Sequence, residues 1–201
     1  MEYFIHRKSR PIEIVPYQET WVEEFKAQGI RLRKITGDSA LRIDHIGSTS
    51  VPGLAAKDVI DIQITVADIK NIEELSGKMK EHGFQTKEGI HRDHEPPGYS
   101  GDRCEWAKRY FREPDGESRM HIHVREQGRL NQRYPILFRD YLRADRYTMH
   151  VYELLKKRLV QLFPECVDAY LFIKDPAIDL IMYSAEKWAE DTGWEMGSSD
   201  A

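Results

Sequence analysis

Only two cysteines, Cys104 and Cys166, occur in 201 residues. Two thiols do not make a disulfide scaffold, and these lack the spacing and the company of a zinc site. They are expected to be reduced, in a cytoplasmic protein. Long apolar runs are also missing. The longest, such as "VIDIQITV", fall far short of the roughly 20 residues that span a bilayer, so no membrane partner is expected. The opening "MEYFIHRKSRPIEIV" has basic residues but no apolar block after them, unlike a secretory signal. There is no excess of positive charge. The formal net charge is -4, which gives no reason to expect bulk nucleic-acid binding. Internal repeats and low-complexity linkers are absent too.

What is present is ordinary for a globular protein: 40% hydrophobic and 32% charged residues. The length fits one domain, or one domain with a helical extension. Such a chain buries on the order of 70% of its unfolded surface. The charge is unevenly spread. Between Arg103 and Arg146 there are eleven Lys/Arg and seven Asp/Glu, against nineteen and twenty-seven elsewhere. A basic middle in an acidic chain is either a solvated surface or an attractor for a small anion such as a nucleotide.

Periodicity divides the chain into an α/β front and a helical back. "IEIV" reads as a short strand. Glu19 to about Gly37 is helical, with Trp21, Phe25, Leu32 and Ile35 on one side. "LRIDHIG" is a candidate strand, followed by a loop through Pro52 and Gly53. "VIDIQITV" is the clearest strand: Ile60, Ile62, Ile64 and Val66 share one face, and Asp61, Gln63 and Thr65 the other. Ile69 to His82 predicts a helix stopped by Gly83, and "GFQT" an extended segment. Residues 91–103 are loop-like. "CEWAKRYF" and "RMHIHV" predict two antiparallel strands joined across Asp115-Gly116. After Asn131 the pattern is helical. One helix is expected to start at Pro135 and another to cover "YTMHVYELLKKRLVQLF". One or two more follow, with a break near Asp175-Pro176.

The stretch from His45 to Ile64, "HIGSTSVPGLAAKDVIDIQI", carries the most chemistry. Gly47 permits close approach of backbone to phosphate, and successive N–H groups in such a turn make an anion site. The hydroxyls of Ser48, Thr49 and Ser50 add donors, and Lys57 a positive charge. Asp61 follows on the next strand. A phosphate cradle beside an acidic strand suits nucleotidyl transfer, in which carboxylate-held Mg²⁺ bridges a triphosphate. The bland alternative is a β-turn with a buried polar Asp. His121 and His123 point the same way from one strand. They can bind a transition metal, bind phosphate, act in acid–base steps, or simply lie on a half-exposed surface. His91 and His94 sit in the Pro-rich loop, where they could close over a ligand. Lys108, Arg109, Arg139 and Arg143 are candidate phosphate contacts. Trp106, Tyr110, Phe138 and Tyr141 read as core rather than as base-stacking platforms.

"HIGSTSVPGLAAKDVIDI" resembles the signature of the GrpB family. The likeness continues through "DHEPPG", "EWAKRYF", "HIHV", Asn131 and "FRDYLR", and so covers most of residues 12–190. The resemblance implies an α+β nucleotidyltransferase-like mixed sheet flanked by helices, with a C-terminal helical extension. It also brings related domains fused to dephospho-CoA kinases. The implied pattern is Gly-Ser on a turn, then Asp-x-Asp or Asp-x-Glu on the next strand, then a third carboxylate from a later strand. Gly47, Ser48 and Asp61 match it. Gln63 departs, because an amide offers Mg²⁺ an oxygen but no charge. Asp58 departs too, since the family commonly has proline after the lysine. The third acid is expected at Glu105.

The expectations are therefore these. Residues 12–130 form the nucleotidyltransferase-like core, 131–190 a helical extension packed on it, and 191–201 a disordered tail. An NTP with Mg²⁺ or Mn²⁺ donates a nucleotidyl group to a small acceptor. Asp61, Gln63 and Glu105 hold the metal, and His123 accepts the acceptor's proton. Gly47, Ser48, Thr49 and Ser50 cradle the phosphates, helped by Lys57, Lys108, Arg109 and Arg139. Two alternatives are a catalytically degenerate nucleotide- or CoA-binding module and a phosphate-ester hydrolase using the His pair with a transition metal. The acceptor and the oligomeric state stay open.

Overall fold

The computed structural model describes residues 11–87 and 89–201. Its centre is the alternating run, which forms β2, Ile60–Val66. With β1 (Arg42–Ile46), β3 (Gln85–Thr86), β4 (Arg109–Arg112) and β5 (Met120–Glu126) it builds a five-stranded mixed sheet of order β1-β2-β5-β4-β3. Only β2 and β5 are parallel; the other neighbours are antiparallel. A parallel pair needs a long crossover, and the chain between them supplies α2 (Glu73–Glu81), β3 and β4.

Strand alternation decides what each face meets. Ile60, Ile62, Ile64 and Val66 join Met120, Ile122, Val124 and Phe111 in one core. Trp21, Phe25 and Leu32 of α1 (Thr20–Thr36) and Leu75 and Met79 of α2 cover them. Each such buried side chain contributes roughly 1.5–3 kcal/mol. The opposite face carries Asp61, Gln63, His121, His123 and Arg125, and it meets the helical back. There α3 (Leu130–Ala144), α4 (Arg146–Leu162) and α5 (Val167–Thr192) pack on one another around Leu137, Leu142, Met149 and Ala185. Gln63 Nε2 donates to the α3 carbonyl of Gln132 at 2.9 Å, which ties the two layers together.

Four local expectations change. "CEWAKRYF" is a strand only from Arg109. Arg103–Trp106 is a 3₁₀ turn, because the Asp102 side chain accepts the Cys104 N–H at 2.8 Å and bends the backbone. The third helix starts at Leu130, not Pro135, with Pro135 inside it. Its exposed first N–H is taken by a distant carboxylate: Glu105 Oε2 accepts from Leu130 N at 3.0 Å. The last helix runs unbroken through Pro176. "IEIV" contributes a single bridge, Val15 with Ala56, rather than a strand.

The tail expected to be disordered lies along β1, an edge strand. Ser199 Oγ accepts from Ile43 N and donates to Ile43 O, while Ala201 N donates to that same carbonyl. Asp200 Oδ2 accepts from His45 N at 2.9 Å. The backbone groups that an edge strand would expose are thereby covered.

Candidate active site

A cavity of about 1100 Å³ opens between the polar face of the sheet, the Gly47 turn and the C-terminal helices. The parallel register of β2 and β5 places Asp61 beside His121 and Gln63 beside His123. His121 Nδ1 donates to Asp61 Oδ1 at 3.0 Å. One ligand atom from each of Asp61, His121 and His123 lies within 4.8 Å of the other two. The Tyr110 ring stands edge-on to His123, with centroids 5.2 Å apart.

The Gly47 turn sits directly on the Asp61 carboxylate. Gly47 has φ 71 and ψ -172, a conformation that side chains avoid. A Cβ here would lie 2.9 Å from Asp61 Cβ and Cγ, and closer still to Oδ2. Glycine therefore lets the turn and the acid share one wall of the cavity. Of the three hydroxyls, Ser48 is half-buried at the cavity and hydrogen-bonds Tyr152. The other two hold the turn. Thr49 Oγ1 donates to Val59 O at 3.2 Å and accepts from His45 Nε2, and Ser50 Oγ donates to Gly47 O at 2.6 Å.

Electrostatics separate two of the acids that line the cavity, Asp61 and Asp93. Burial pushes the Asp61 carboxyl up. The hydrogen bond from His121, with His121 and Lys57 nearby, outweighs this and brings it to about 2. Asp93, from the Pro-rich loop, is clamped: it accepts from Lys108 Nζ at 2.7 Å, from Arg125 Nε at 2.8 Å and from Asn131 Nδ2 at 3.0 Å. Burial raises its pKa, but Arg125 and Lys108 hold it well below the usual carboxylate range. Burial, with Arg125 and Lys108 nearby, keeps His123 neutral.

The far wall is cationic. Lys57 Nζ lies 5.1 Å over the Tyr170 ring, and burial with nearby Lys174 lowers its pKa to about 8. Lys156 Nζ donates to Ala55 O at 2.6 Å, and burial beside Lys174 and Lys57 brings it to about 7. Arg119 and Lys174 line the same cavity.

Comparison with known proteins places this architecture. The family model "GrpB protein" matches residues 11–184. The chain belongs to the GrpB family. The crystal structure of the conserved protein GrpB from Enterococcus faecalis is 31% identical and superposes with a TM-score of 0.72, over 87% of this chain and 98% of that one. UPF0157 protein YqkA of Bacillus subtilis is 33% identical over 94% of this chain and 51% of its own length. A dephospho-CoA kinase of Mycolicibacterium paratuberculosis is 34% identical over 92% of this chain and 48% of its own. The chain thus spans about half the length of these two curated relatives.

Against the pattern the GrpB resemblance implies, this chain brings some expected residues together and disperses others. Gly47, Ser48, Lys57, Lys108, Asp61 and His123 line the one cavity. Gln63 is no free metal ligand, because its Oε1 accepts from Arg125 Nη1 at 2.7 Å and its amide is committed to α3. Glu105 lies outside the cavity lining: it pairs with Arg129 at 2.7 Å and caps α3, because its backbone is a 3₁₀ turn and not a strand. Arg109 follows the alternation of β4 to the side of Phe111, and among the described residues its guanidinium reaches the Lys108 carbonyl and not the cavity. Arg139 is drawn to the β1 edge, where it donates to His45 O and pairs with Asp140 and Asp200. Arg143 holds the turn through Ser50 O. His94 meets Asp179 at the rim; His91 is exposed and outside the lining. Thr49 also lines the cavity, although its hydroxyl is engaged by His45 and Val59 O, and Ser50 lies outside the lining and supports the turn.

A carboxylate-held Mg²⁺ pair does not fit these residues. The third acid, expected at Glu105 on the segment that leads into β4, lies outside the cavity; β5, the strand that does pair with β2 here, brings imidazoles. Of the other acids that line the cavity, Asp93 is occupied by three donors, Glu113 by Arg112 and the Met120 N–H, and Asp58 by Trp21. Sequence reasoning missed Asp93 and Lys156. The alternation of β5 signalled Arg125 beside the histidines, and Asp93 opens the "DHEPPG" stretch that carries the GrpB likeness, but periodicity gives an irregular loop no facing direction.

Proposed function

We propose that this cavity binds a nucleoside triphosphate and that the protein, acting in the cytoplasm, transfers its nucleotidyl group to a small acceptor. The acceptor hydroxyl attacks the α-phosphorus and gives up its proton to water, the α–β bridging bond breaks, and pyrophosphate leaves. Ser48 and the turn amides hold the phosphates, while Lys57, Lys174 and Arg119 offset their charge. The reading is carried by one observation: the Gly47 turn packs on Asp61, and both open into one cavity of about 1100 Å³, enough for a nucleotide.

Thermal melting with a panel of nucleotides and divalent ions tests this. A ligand at 100 times its Kd stabilises by about 2.7 kcal/mol, which raises Tm by about 5–10 °C in a chain of this size. The proposal fails if no NTP moves Tm with any divalent ion.

The committed Gln63 amide and the clamped Asp93 favour a second reading, a nucleotide- or CoA-binding module without catalysis. The dephospho-CoA kinase relatives, in which a chain like this is about half of the protein, make CoA and dephospho-CoA the ligands to test first. A binder of this kind is stabilised equally in chelator, and an enzyme only with metal.

A further inference from the structure

We infer that Asp61, His121 and His123 form a single-ion site for a transition metal of the zinc–cobalt–manganese kind, not for Mg²⁺. This deepens the reading of the cavity as metal-dependent, and rests on that reading only for what the ion does, not for its binding.

The donor set argues first. Mg²⁺ demands oxygen ligands in near-octahedral array, and this face offers one free carboxylate. Imidazole nitrogens suit zinc, iron, cobalt and nickel, and two of them with one carboxylate make a facial set with positions left open. The neighbouring oxygen groups are withdrawn: Gln63 Oε1 and both Asp93 oxygens accept from Arg125.

Geometry argues second. Asp61 Oδ1 and His121 Nδ1 are 3.0 Å apart. Two ligands on an ion with bonds of about 2.1 Å lie about 3.0 Å apart at right angles and about 3.4 Å apart at the tetrahedral angle, so a small adjustment of either side chain suffices. An ion can therefore replace the proton now shared between them. His123 completes the set within 4.8 Å. Its Nδ1 is 3.4 Å from Lys108 Nζ, too long to fix the ring's tautomer. Parallel pairing adds rigidity, since Asp61 and His121 are register partners and His123 is two residues along on the same face.

The site assigns different work to His123 than proton acceptance, because a ring nitrogen that holds an ion is not free to take a proton. It also gives the Gly47 turn a second role. The turn presses on the side of Asp61 that bears Oδ2, while Oδ1 faces His121.

The test needs no nucleotide, so its outcome is independent of the melting experiment above. Full-length protein is stripped with chelator, desalted and titrated with Zn²⁺, Co²⁺, Mn²⁺ and Mg²⁺ by calorimetry. The expected result is one equivalent of Zn²⁺, with affinity falling in the order Zn²⁺, Co²⁺, Mn²⁺, Mg²⁺. His121→Ala and His123→Ala should each weaken Zn²⁺ by more than the roughly 10–100-fold that a merely supporting residue costs. His150→Ala, on exposed α4 surface, should leave it unchanged. If the site variants do not fold, the wild-type protein still answers. Zn²⁺ should protect His121 and His123, but not His150, from carbethoxylation mapped by mass spectrometry. Mg²⁺ binding as tightly as Zn²⁺, Zn²⁺ binding that survives both site variants, or unprotected His121 and His123 would overturn the inference.

Discussion

Replacing Gly47 by alanine isolates the contact on which the cavity depends. Two costs are separable. The backbone, at φ 71 and ψ -172, is strained for any side chain by about 1–3 kcal/mol. The new methyl also meets Asp61 Cβ and Cγ at 2.9 Å, so turn or acid must move. A comparison glycine separates these. Gly53 has φ 83 and open space within 4 Å of where a methyl would stand, so Gly53→Ala carries backbone strain alone. We expect Gly53→Ala to cost about 1 kcal/mol and Gly47→Ala about 3 kcal/mol, the excess being an overpacking cost of about 1–3 kcal/mol. In a chain of this length that excess lowers Tm by a further amount of about 2–12 °C. Urea denaturation of both variants, and of Gly47→Ala in an Asp61→Ala background, gives the coupling directly. Trimming Asp61 removes the carboxylate but leaves its Cβ, so about half of the excess should disappear. Equal destabilisation by the two glycine variants, with no coupling to Asp61, would refute the claim that turn and acid are in contact.

Other outcomes follow from buried charge. His45 stacks on Phe25 at 4.6 Å, and burial, with Arg143 and Arg139 nearby, lowers its pKa from 6.5 to about 4. The unfolded chain then binds the proton first, so this contribution is complete above pH 6.5. About 3 kcal/mol should be lost as pH falls towards 4. Urea melts across that window should show it, and His45→Gln should flatten the slope. Asp93→Asn leaves Arg125 and Lys108 facing each other without their shared carboxylate, and should cost about 3–5 kcal/mol in the same assay. A loss under about 1 kcal/mol would mean that the cluster is solvent-relaxed. Glu105→Ala should cost about 1 kcal/mol by uncapping α3, and leave Zn²⁺ affinity unchanged in the titration. Loss of metal binding in that variant would restore Glu105 to the site.

Much of the scaffold was legible because it repeats locally. The alternation of Ile60, Ile62, Ile64 and Val66 named both faces of β2, and the same period set His121, His123 and Arg125 together on β5. Errors arose where a distant partner overrode a local signal. Pro135 reads as a helix start, yet Glu105, twenty-five positions upstream of Leu130, captures that earlier N–H and begins the helix sooner. The polar tail "GSSDA" reads as disordered, yet β1 offers it unpaired backbone groups.

The sequence alone determined the two layers, the glycine turn and the acid that follows it, since each depends on residues within a few positions of one another. Tertiary structure decided which polar groups are free. Gln63, Asp93, Glu105 and Arg139 were chemically able to serve a ligand. Each is instead spent on a partner at least twenty-four residues away, because a charge or amide that leaves water must find a complement in the fold. The residues left uncommitted around Asp61 are those that the pairing of β2 with β5 did not consume.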